Sequence, residues 1–256
     1  MTTPLSAGNA RVKEARKLSR RSVRTERRLF LADGPKAVEG ALEVSGCVVE
    51  LFATSAALEH YDGLLAGREV TLVEDRAMAG LSDSVSPAGV VALCRHLDVP
   101  LADALTGRVV VICADVRDPG NAGTVIRCAD AAGAAGVVLA GDSVDAFNPK
   151  TVRASVGSLF HLPVAVERDV PTAVRAAQAA GYQVLAADGG GEVDLFAADE
   201  LLARPTAWLF GNEARGLPAE VAALADHRVR IPILGRAESL NLATAAAVCL
   251  YASARV

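Results

Sequence analysis

The second half of this chain alternates short apolar runs with helical stretches, and this alternation restricts its fold more than any other feature. Apolar runs typical of strands occupy 108–114, 136–140, 163–166, 182–187, 206–210 and 228–232. Helical stretches lie between and after them, at 121–133, 149–156, 171–180, 218–224 and 239–253. Strands separated by helices predict a mainly parallel sheet with helices on both faces. The second half is therefore expected to be an α/β domain.

The first half predicts a smaller α/β domain. Residues 9–28 predict a helix followed by a basic turn, and further helices are expected to begin at Pro35 and at Ser55, which is a suitable cap. The strands expected between and after these helices are 29–32, 47–52, 68–73 and 89–94. The predicted organisation is a first domain at 1–96, a linker at 97–107 and a second domain at 108–256.

Charge is divided unevenly along the chain. Residues 1–28 hold two acidic and nine basic residues, the latter being Arg11, Lys13, Arg16, Lys17, Arg20, Arg21, Arg24, Arg27 and Arg28. This segment has a net charge of +7, whereas the whole chain has −4, so the remainder carries −11. A basic segment on an acidic protein favours contact with a polyanion such as RNA, because phosphate contacts dominate such affinity. The alternative is a solvated helix face.

Several classes of protein are not expected. The longest stretch of small residues, 131–141, is too short to span a bilayer, and no secretory signal is visible, so a cytoplasmic protein is predicted. The five cysteines and four histidines lack the spacing of metal ligands. The sequence therefore predicts inert core thiols and no bound metal.

Three polar segments stand where strands are expected to end. They are Asn121-Ala-Gly-Thr-Val-Ile-Arg127, Leu209-Phe-Gly-Asn-Glu-Ala-Arg-Gly216, and Ile231-Pro-Ile233 with Ser239-Leu-Asn241. Loops at the ends of parallel strands gather at one edge of the sheet, where ligands bind. The three segments are therefore expected to form one site.

Each segment also has a purely structural interpretation. Asn121 and Ser239 are suitable helix caps. Arg127 is flanked by apolar residues, which predicts a buried arginine that is either functional or paired with Asp130. Glu213 follows Gly211 in a tight turn, and alone it is typical of a solvated side chain. None of these alternatives is decided by spacing within a single segment.

Together, in this order and spacing, the segments resemble the motifs of the SpoU (TrmH-type) family of RNA ribose 2′-O-methyltransferases in the SPOUT superfamily. The matching patterns are N-x-G-x-x-x-R, G-N-E-x-x-G-L, and I-P-I with S-L-N before a helix. The resemblance covers 108–256, is reinforced by 147–163, and is closest to the thiostrepton-resistance type of ribosomal RNA methyltransferase. Residues 10–95 resemble the ribosomal-protein-like substrate-binding domain that precedes the catalytic domain in many members.

The resemblance implies a C-terminal trefoil-knotted α/β (SPOUT) methyltransferase domain preceded by a small ribosomal-protein-like α/β domain. It also implies a homodimer and S-adenosylmethionine as methyl donor. The cofactor-binding residues that it implies are Leu209, Gly211, Asn212, Ile231, Ile233 and Leu240. The reacting centre that it implies is Asn121, Arg127, Glu213, Ser239 and Asn241, completed in part by the partner chain. The RNA contacts predicted from the basic residues are Arg16, Lys17, Arg20, Arg21, Arg24 and Arg153.

The expected function is S-adenosylmethionine-dependent 2′-O-methylation of a ribose in structured RNA, with ribosomal RNA favoured over transfer RNA. An alternative is a non-catalytic RNA-binding assembly factor that keeps the fold. A dinucleotide-dependent enzyme is disfavoured, because no helix with the required spacing follows Gly189-Gly-Gly191. The resemblance assigns removal of the ribose proton to Arg127. A guanidinium normally keeps its charge, so Arg127 is either strongly perturbed or stabilises the alkoxide while phosphate or water takes the proton.

Overall fold

The computed structural model describes residues 3–256 of the chain, which form two compact units. The first unit contains residues 3–97 together with Phe147–His161, and the second contains Asp98–Ala146 with Leu162–Val256. The sequence predicts 147–161 as part of the second domain, whereas the contacts of this segment group it with the first unit.

The described chain contains both helices and strands. Up to residue 97 they are α1 (Ala10–Arg16), α2 (Arg21–Arg27), β1 (Leu29–Asp33), α3 (Pro35–Glu43), β2 (Val48–Ala53), α4 (Ser55–His60), α5 (Asp62–Leu65), β3 (Val70–Leu72), α6 (Asp75–Leu81) and β4 (Val90–Arg95). Beyond it they are α7 (Leu101–Ala104), β5 (Val109–Ala114), α8 (Pro119–Ala131), β6 (Gly136–Ala140), α9 (Pro149–Ser155), β7 (Val164–Glu167), α10 (Val170–Ala179), β8 (Gln183–Ala187), β9 (Val193–Asp194), α11 (Asp199–Leu202), β10 (Thr206–Phe210), α12 (Ala219–Ala222), β11 (His227–Arg230) and α13 (Leu242–Ala254).

The first unit is built on a four-stranded sheet in the order β1-β4-β2-β3. Strand β4 is antiparallel to both β1 and β2, and β3 is parallel to β2. Helices α1 and α6 contribute to one hydrophobic cluster, α1 through Val12 and Ala15 and α6 through Ala77, Met78 and Leu81. The N-terminal segment is therefore part of the core of this unit.

The sequence predicts a helix followed by a basic turn over 9–28, whereas the structure has two helices, α1 and α2, separated by a 3₁₀ turn at Lys17–Ser19. The prediction that Arg24 contacts RNA is wrong. Its side chain is buried, and it donates to the carbonyl oxygens of Leu18 at 2.8 Å and Ser19 at 2.9 Å. Carbonyl groups that the turn leaves without helical partners are thereby satisfied.

Two other details of the first unit differ from the prediction. Thr54, rather than Ser55, caps α4, because its hydroxyl accepts from the Ala57 N–H at 3.2 Å. Helix α6 has no predicted counterpart, since Asp75–Leu81 is only two turns long and contains a glycine. Its role in the core explains why it forms despite weak local preference.

The second unit has a seven-stranded parallel sheet in the order β7-β6-β5-β10-β8-β11-β9. Every residue of β5, β6 and β10 is buried, in keeping with apolar runs covered on both faces. Strand β10 lies between β5 and β8, although β8 precedes it along the chain. The six strands predicted in this half are all found, and the short strand β9 is added to them.

A membrane-spanning helix and a metal-binding cluster are both absent from the described residues, and most of the cysteines are buried. Between residues 3 and 256, no helix has the length and apolarity needed to cross a bilayer. The same residues contain no group of three or more histidine, cysteine or acidic side chains arranged to hold a metal ion. Four of the five cysteines are buried, and burial together with the charge of Glu213 raises the pKa of Cys113 to about 12.

Candidate functional site

The loops that carry the predicted motifs leave one edge of the seven-stranded sheet. Because β5, β10, β8 and β11 are parallel neighbours, their carboxyl ends share this edge, and the chain continues from it as 115–118, 211–217, 188–192 and 231–241. A cavity of about 310 Å³, within the range of cofactor pockets, opens beside the last three loops. Its lining comprises Ala187, Asp188, Gly189, Phe210, Gly211, Asn212, Glu213, Ala214, Gly216, Val229, Ile231, Ile233, Glu238, Ser239, Leu240, Leu242 and Ala245.

The loop after β10 is closed by paired backbone groups. The N–H groups of Asn212 and Gly216 donate to each other's carbonyl oxygens at 3.0 and 2.9 Å. The Asn212 side chain accepts from the Ala214 and Arg215 N–H groups and donates to the Asp115 carbonyl at 2.8 Å. Asn212 therefore shapes the loop beside the cavity with both its backbone and its side chain.

Asp115, the first residue after β5, joins the loops that follow three strands. Its φ of 56° lies in the left-handed region, which aspartate adopts more readily than most side chains. The Asp115 carboxylate accepts from the Asp142 N–H at 2.7 Å, while its carbonyl accepts from Asn212. Sequence reasoning missed this residue, and its one signal is its position directly after a buried strand.

Glu213, Asn121 and Asn241 form one hydrogen-bonded group, although they come from three separate segments. Glu213 Oε1 accepts from the Asp118 N–H at 3.0 Å and from Asn121 Nδ2 at 3.3 Å, and Oε2 accepts from the Arg117 N–H at 3.2 Å. Asn241 Nδ2 donates to Asn121 Oδ1 at 3.1 Å. The structure therefore brings together three of the five residues predicted for the reacting centre.

The two helices at this edge begin at residues other than those predicted. Helix α8 is capped by Asp118, whose Oδ1 accepts from the Asn121 N–H at 2.8 Å, and Pro119 takes the first helical position. Helix α13 is capped by Asn241, so Ser239 lies before the helix in the wall of the cavity. The interpretation of Asn121 and Ser239 as helix caps is therefore wrong, since Asp118 and Asn241 cap the two helices.

Arg127 is exposed, and the prediction that it is buried is wrong. The buried positions of α8 include Ala122, Val125, Ile126 and Ala129, which recur at the spacing of one helical face. Arg127 points away from that face. It lies six residues after Asn121, which is about 9 Å along the helix axis. Within the described chain, Arg127 neither lines the cavity nor belongs to the hydrogen-bonded group of Glu213, Asn121 and Asn241.

Five of the six predicted cofactor residues line the cavity, namely Gly211, Asn212, Ile231, Ile233 and Leu240. Leu209 does not line it. Its side chain is fully buried in the core of the second unit, and its position in β10 pairs with both β5 and β8. Two acidic residues that sequence reasoning missed, Asp188 and Glu238, also line the cavity. Asp188 directly follows β8, so its position at a strand end was an available signal.

The predicted RNA contacts of the first unit differ in their surroundings. Arg16, Arg20 and Arg21 are exposed, whereas Lys17 is paired with Glu14 at 2.5 Å. Arg153 lies on α9 and forms ion pairs within the first unit, with Asp33 at 3.7 Å and Asp83 at 3.5 Å. Its side chain is 38% exposed, so part of it faces solvent.

The carboxylate of Glu213 is held in its ionised form. Burial raises its pKa, but its own N–H and those of Asp118 and Arg117 favour the charged state and outweigh burial. The Asn121 amide acts in the same direction. The pKa of Glu213 therefore lies below its ordinary value of 4.5.

We expect Glu213→Gln to lose a stabilisation that depends on pH. A carboxyl group whose pKa is lower in the folded state stabilises the fold above its unfolded pKa, and this contribution is lost as pH falls through the folded pKa. The difference in Tm between wild type and Glu213→Gln should be full above about pH 5 and shrink below about pH 4. Thermal unfolding between pH 3 and 7 measures it, with the exposed Glu220→Gln as control. A difference that stays constant over this range would contradict the assignment.

Two family models match the chain, one in each half. The model of the SpoU rRNA Methylase family matches residues 108–251. The model of an MRM3-like substrate binding domain matches residues 9–92. Together they include every residue of the hydrogen-bonded group and the basic N-terminal segment from residue 9 onward.

Individual proteins are similar over nearly the whole chain. A 23S rRNA (guanosine(2553)-2′-O)-methyltransferase of Bacillus subtilis is 36% identical over 248 residues, which is 96% of each chain. An AdoMet-bound rRNA methyltransferase from Sinorhizobium meliloti is 36% identical in sequence, with a TM-score of 0.86 over 99% of this chain and 97% of that one. The SpoU methyltransferase AviRb from Streptomyces viridochromogenes, in complex with the cofactor AdoMet, is 32% identical, with a TM-score of 0.83 over 96% and 98%.

Proposed function

Because the chain belongs to the SpoU rRNA methylase family, we infer that it is an S-adenosylmethionine-dependent RNA ribose 2′-O-methyltransferase that acts on ribosomal RNA. The observation that carries this function is the match, over nearly the whole chain, to proteins named as ribosomal RNA methyltransferases. Asn121, Glu213 and Asn241 are all present and joined by hydrogen bonds, which a non-catalytic assembly factor would not require.

The cavity suits S-adenosylmethionine in both size and lining. Its volume of about 310 Å³ is that of a pocket for a small organic cofactor. Apolar side chains such as Ile231 and Leu240 offer a surface for an adenine ring, while Ser239, Asp188 and Glu238 offer polar groups. When bound, S-adenosylmethionine would supply a methyl group on a sulfonium sulfur, for in-line transfer to a ribose 2′-oxygen with S-adenosylhomocysteine as the leaving thioether.

The residues of the chain contribute mainly by positioning. Much of the acceleration of a displacement comes from alignment of the two reactants. Glu213, in the loop beside the cavity, accepts hydrogen bonds from the start of α8. Asn121, on α8, accepts a hydrogen bond from Asn241 at the start of α13. We propose that this hydrogen-bonded group fixes the positions of the ribose-binding and cofactor-binding loops relative to each other. Arg127 stabilises the developing alkoxide, and a phosphate group or water accepts the proton.

A trefoil knot within 108–256 and a homodimer belong to the same proposal. Exposed apolar side chains of the second unit, among them Leu234 at 93% and Tyr251 at 55% exposure, offer contacts for a partner chain. The exposed position of Arg127 agrees with a centre that the partner chain completes. A ribosomal RNA substrate agrees with the predicted cytoplasmic location. A crystal structure of the purified protein tests both the knot and the dimer.

The proposed function predicts saturable binding of S-adenosylmethionine and methyl transfer to RNA. Calorimetric titration should give one cofactor site per chain. Tritiated methyl groups should pass to unmodified 23S rRNA and be recovered in alkali-resistant dinucleotides, because a 2′-O-methyl group blocks cleavage at that nucleotide. No binding at high cofactor concentration would favour the assembly factor. Transfer to unmodified transfer RNA but not to 23S rRNA would favour the transfer RNA alternative.

A further inference from the structure

Three basic side chains of the first unit remain available for a ligand on the exposed side of α1 and α6. The buried residues of α1, Val12 and Ala15, turn Lys13 and Arg16 towards solvent. In the same way the buried face of α6 leaves Arg76 and Gly80 outside. Amphipathic helices that pack side by side thus place basic residues from distant parts of the chain on one surface.

This surface contains two shallow hollows. Two adjoining hollows of about 580 and 330 Å³ share Arg16 and Gly80 in their walls. We name this region the basic groove, and its basic lining residues are Lys13, Arg16, Lys17, Arg20 and Arg76. One acidic residue, Glu74, also lines it. The groove therefore carries a clear excess of positive charge.

Gly80 allows Arg16 to lie across α6. A Cβ atom added at Gly80 would stand 2.9 Å from Arg16 Nε and 3.0 Å from Arg16 Cδ. The absence of a side chain at this position lets the arginine stem rest on the helix and cover apolar surface with its methylenes. Its guanidinium is then held at the junction of the two hollows.

Most of these charges are not neutralised within the unit. Lys17 is paired with Glu14, which also binds Arg27 at 2.7 Å. In the part of the chain that the structure describes, Lys13, Arg16, Arg20 and Arg76 make no ion pair, and all four are exposed. Unpaired cations around a groove favour a ligand with repeated negative charges, because binding releases its condensed counterions.

We propose that the basic groove binds the phosphate backbone of the RNA substrate and that Arg76 is one of its phosphate contacts. This inference rests on the proposed function and adds to it a specific surface on the first unit. It includes Lys13 and Arg76, which were not among the predicted RNA contacts, and excludes the buried Arg24. It also excludes Arg21 from the proposed contacts, because Arg21 is exposed on α2 but does not line the groove.

Point substitutions test the groove better than a truncation does. Val12, Ala15 and Leu18 belong to the core of the first unit, so deletion of 1–28 would unfold that unit along with removing charge. The decisive pair is Arg76→Gln and Arg21→Gln, which remove one exposed arginine each. Binding of 23S rRNA transcribed in vitro would be measured by filter retention between 50 and 250 mM KCl. Over this range of KCl concentration, phosphate contacts make the affinity for RNA depend strongly on salt.

The groove predicts different results for the two variants. Arg76→Gln should lower the slope of log Kd against log salt by about 1, whereas Arg21→Gln should leave it unchanged. The triple variant Lys13→Gln/Arg16→Gln/Arg76→Gln should lower it by about 2 to 3, and the control Arg68→Gln/Arg175→Gln/Arg204→Gln should not. Equal effects of Arg76→Gln and Arg21→Gln, or a wild-type slope in the triple variant, would overturn the proposal.

Cofactor binding separates this result from the proposed function. Each variant should bind S-adenosylmethionine as wild type does, because all of the substituted residues lie outside the cavity of the second unit. A wild-type protein that binds neither cofactor nor RNA contradicts the proposed function as a whole. A wild-type protein that methylates RNA, with unchanged RNA affinity in the triple variant, contradicts the groove alone.

Discussion

Gly211→Ala is expected to lower the affinity for S-adenosylmethionine by about ten- to a hundredfold. A Cβ atom at position 211 would stand 2.4 Å from the carbonyl carbon of Gly216 and 2.6 Å from Leu217 N. Both are backbone atoms, so neither can move aside as the end of a flexible side chain would. The loop must open, and the cavity wall formed by Gly211, Asn212 and Gly216 moves with it.

The size of this effect follows from the cost of overpacking. Inserting one methyl group into a closely packed site costs about 1–3 kcal/mol, and each 1.4 kcal/mol corresponds to a tenfold change in a dissociation constant. The variant can avoid the contact only by giving up the paired hydrogen bonds between Asn212 and Gly216. Either response alters the groups that face the cofactor.

Calorimetric titration of Gly211→Ala with S-adenosylmethionine measures the effect, and Gly235→Ala is the matched control. Gly235 lies in the loop 231–241, has no atom within 4 Å of an added Cβ and does not line the cavity. Wild-type affinity is expected for the control. If Gly211→Ala also bound the cofactor with wild-type affinity, the loop after β10 would have no part in binding it.

The strands of the second unit were predictable because a parallel sheet covered by helices demands apolar runs. Strand β5 is a run of six buried residues, and β6 and β10 are similar. Their order was not predictable from local sequence, since β10 inserts between β5 and β8 only in the tertiary structure. The ends of the predicted strands indicated that the three segments form one site, but the roles of their residues came from a family resemblance and not from spacing.

The hydrogen bonds within the site could not be predicted from residues that are neighbours in the sequence. Glu213 is 92 residues from Asn121, and Asn121 is 120 residues from Asn241, so no local pattern encodes their hydrogen bonds. The error at Arg127 has a different origin. Its immediate neighbours in sequence are apolar, but residues one and two positions apart do not share a helix face. Exposure follows the period of 3.6 residues, which places Arg127 outside the buried positions of α8.

The basic N-terminal segment illustrates the limits of charge counting. Nine basic residues lie in 1–28, yet Arg24 is buried against the 3₁₀ turn, and Lys17 and Arg27 are paired with Glu14. A helix of weak propensity, α6, supplies Arg76 from outside the run. Only packing determines which charges remain available to a polyanion.

Arg127→Ala is expected to lower the single-turnover rate of methyl transfer by about 10²–10³-fold, while cofactor affinity stays near that of wild type. This is the loss seen when one donor to a developing oxyanion is removed. Arg127 does not line the cavity, so its removal leaves the cofactor contacts intact. Arg127→Lys keeps the positive charge but not the planar fork of donors, and it should lose less activity than the alanine variant. Arg175→Ala, which removes an exposed arginine from helix α10, is the matched control.

The pH dependence of these rates distinguishes the two roles of Arg127. Arg127 is exposed, and we expect it to stabilise the alkoxide rather than to remove the proton. Loss of an electrostatic stabiliser lowers the rate at every pH and leaves the shape of the profile unchanged. Loss of the proton acceptor removes the rise of rate with pH in Arg127→Ala and shifts it in Arg127→Lys, because lysine titrates at lower pH than arginine. A parallel displacement of the profile is the expected result, and unchanged turnover in both variants would exclude Arg127 from the reaction.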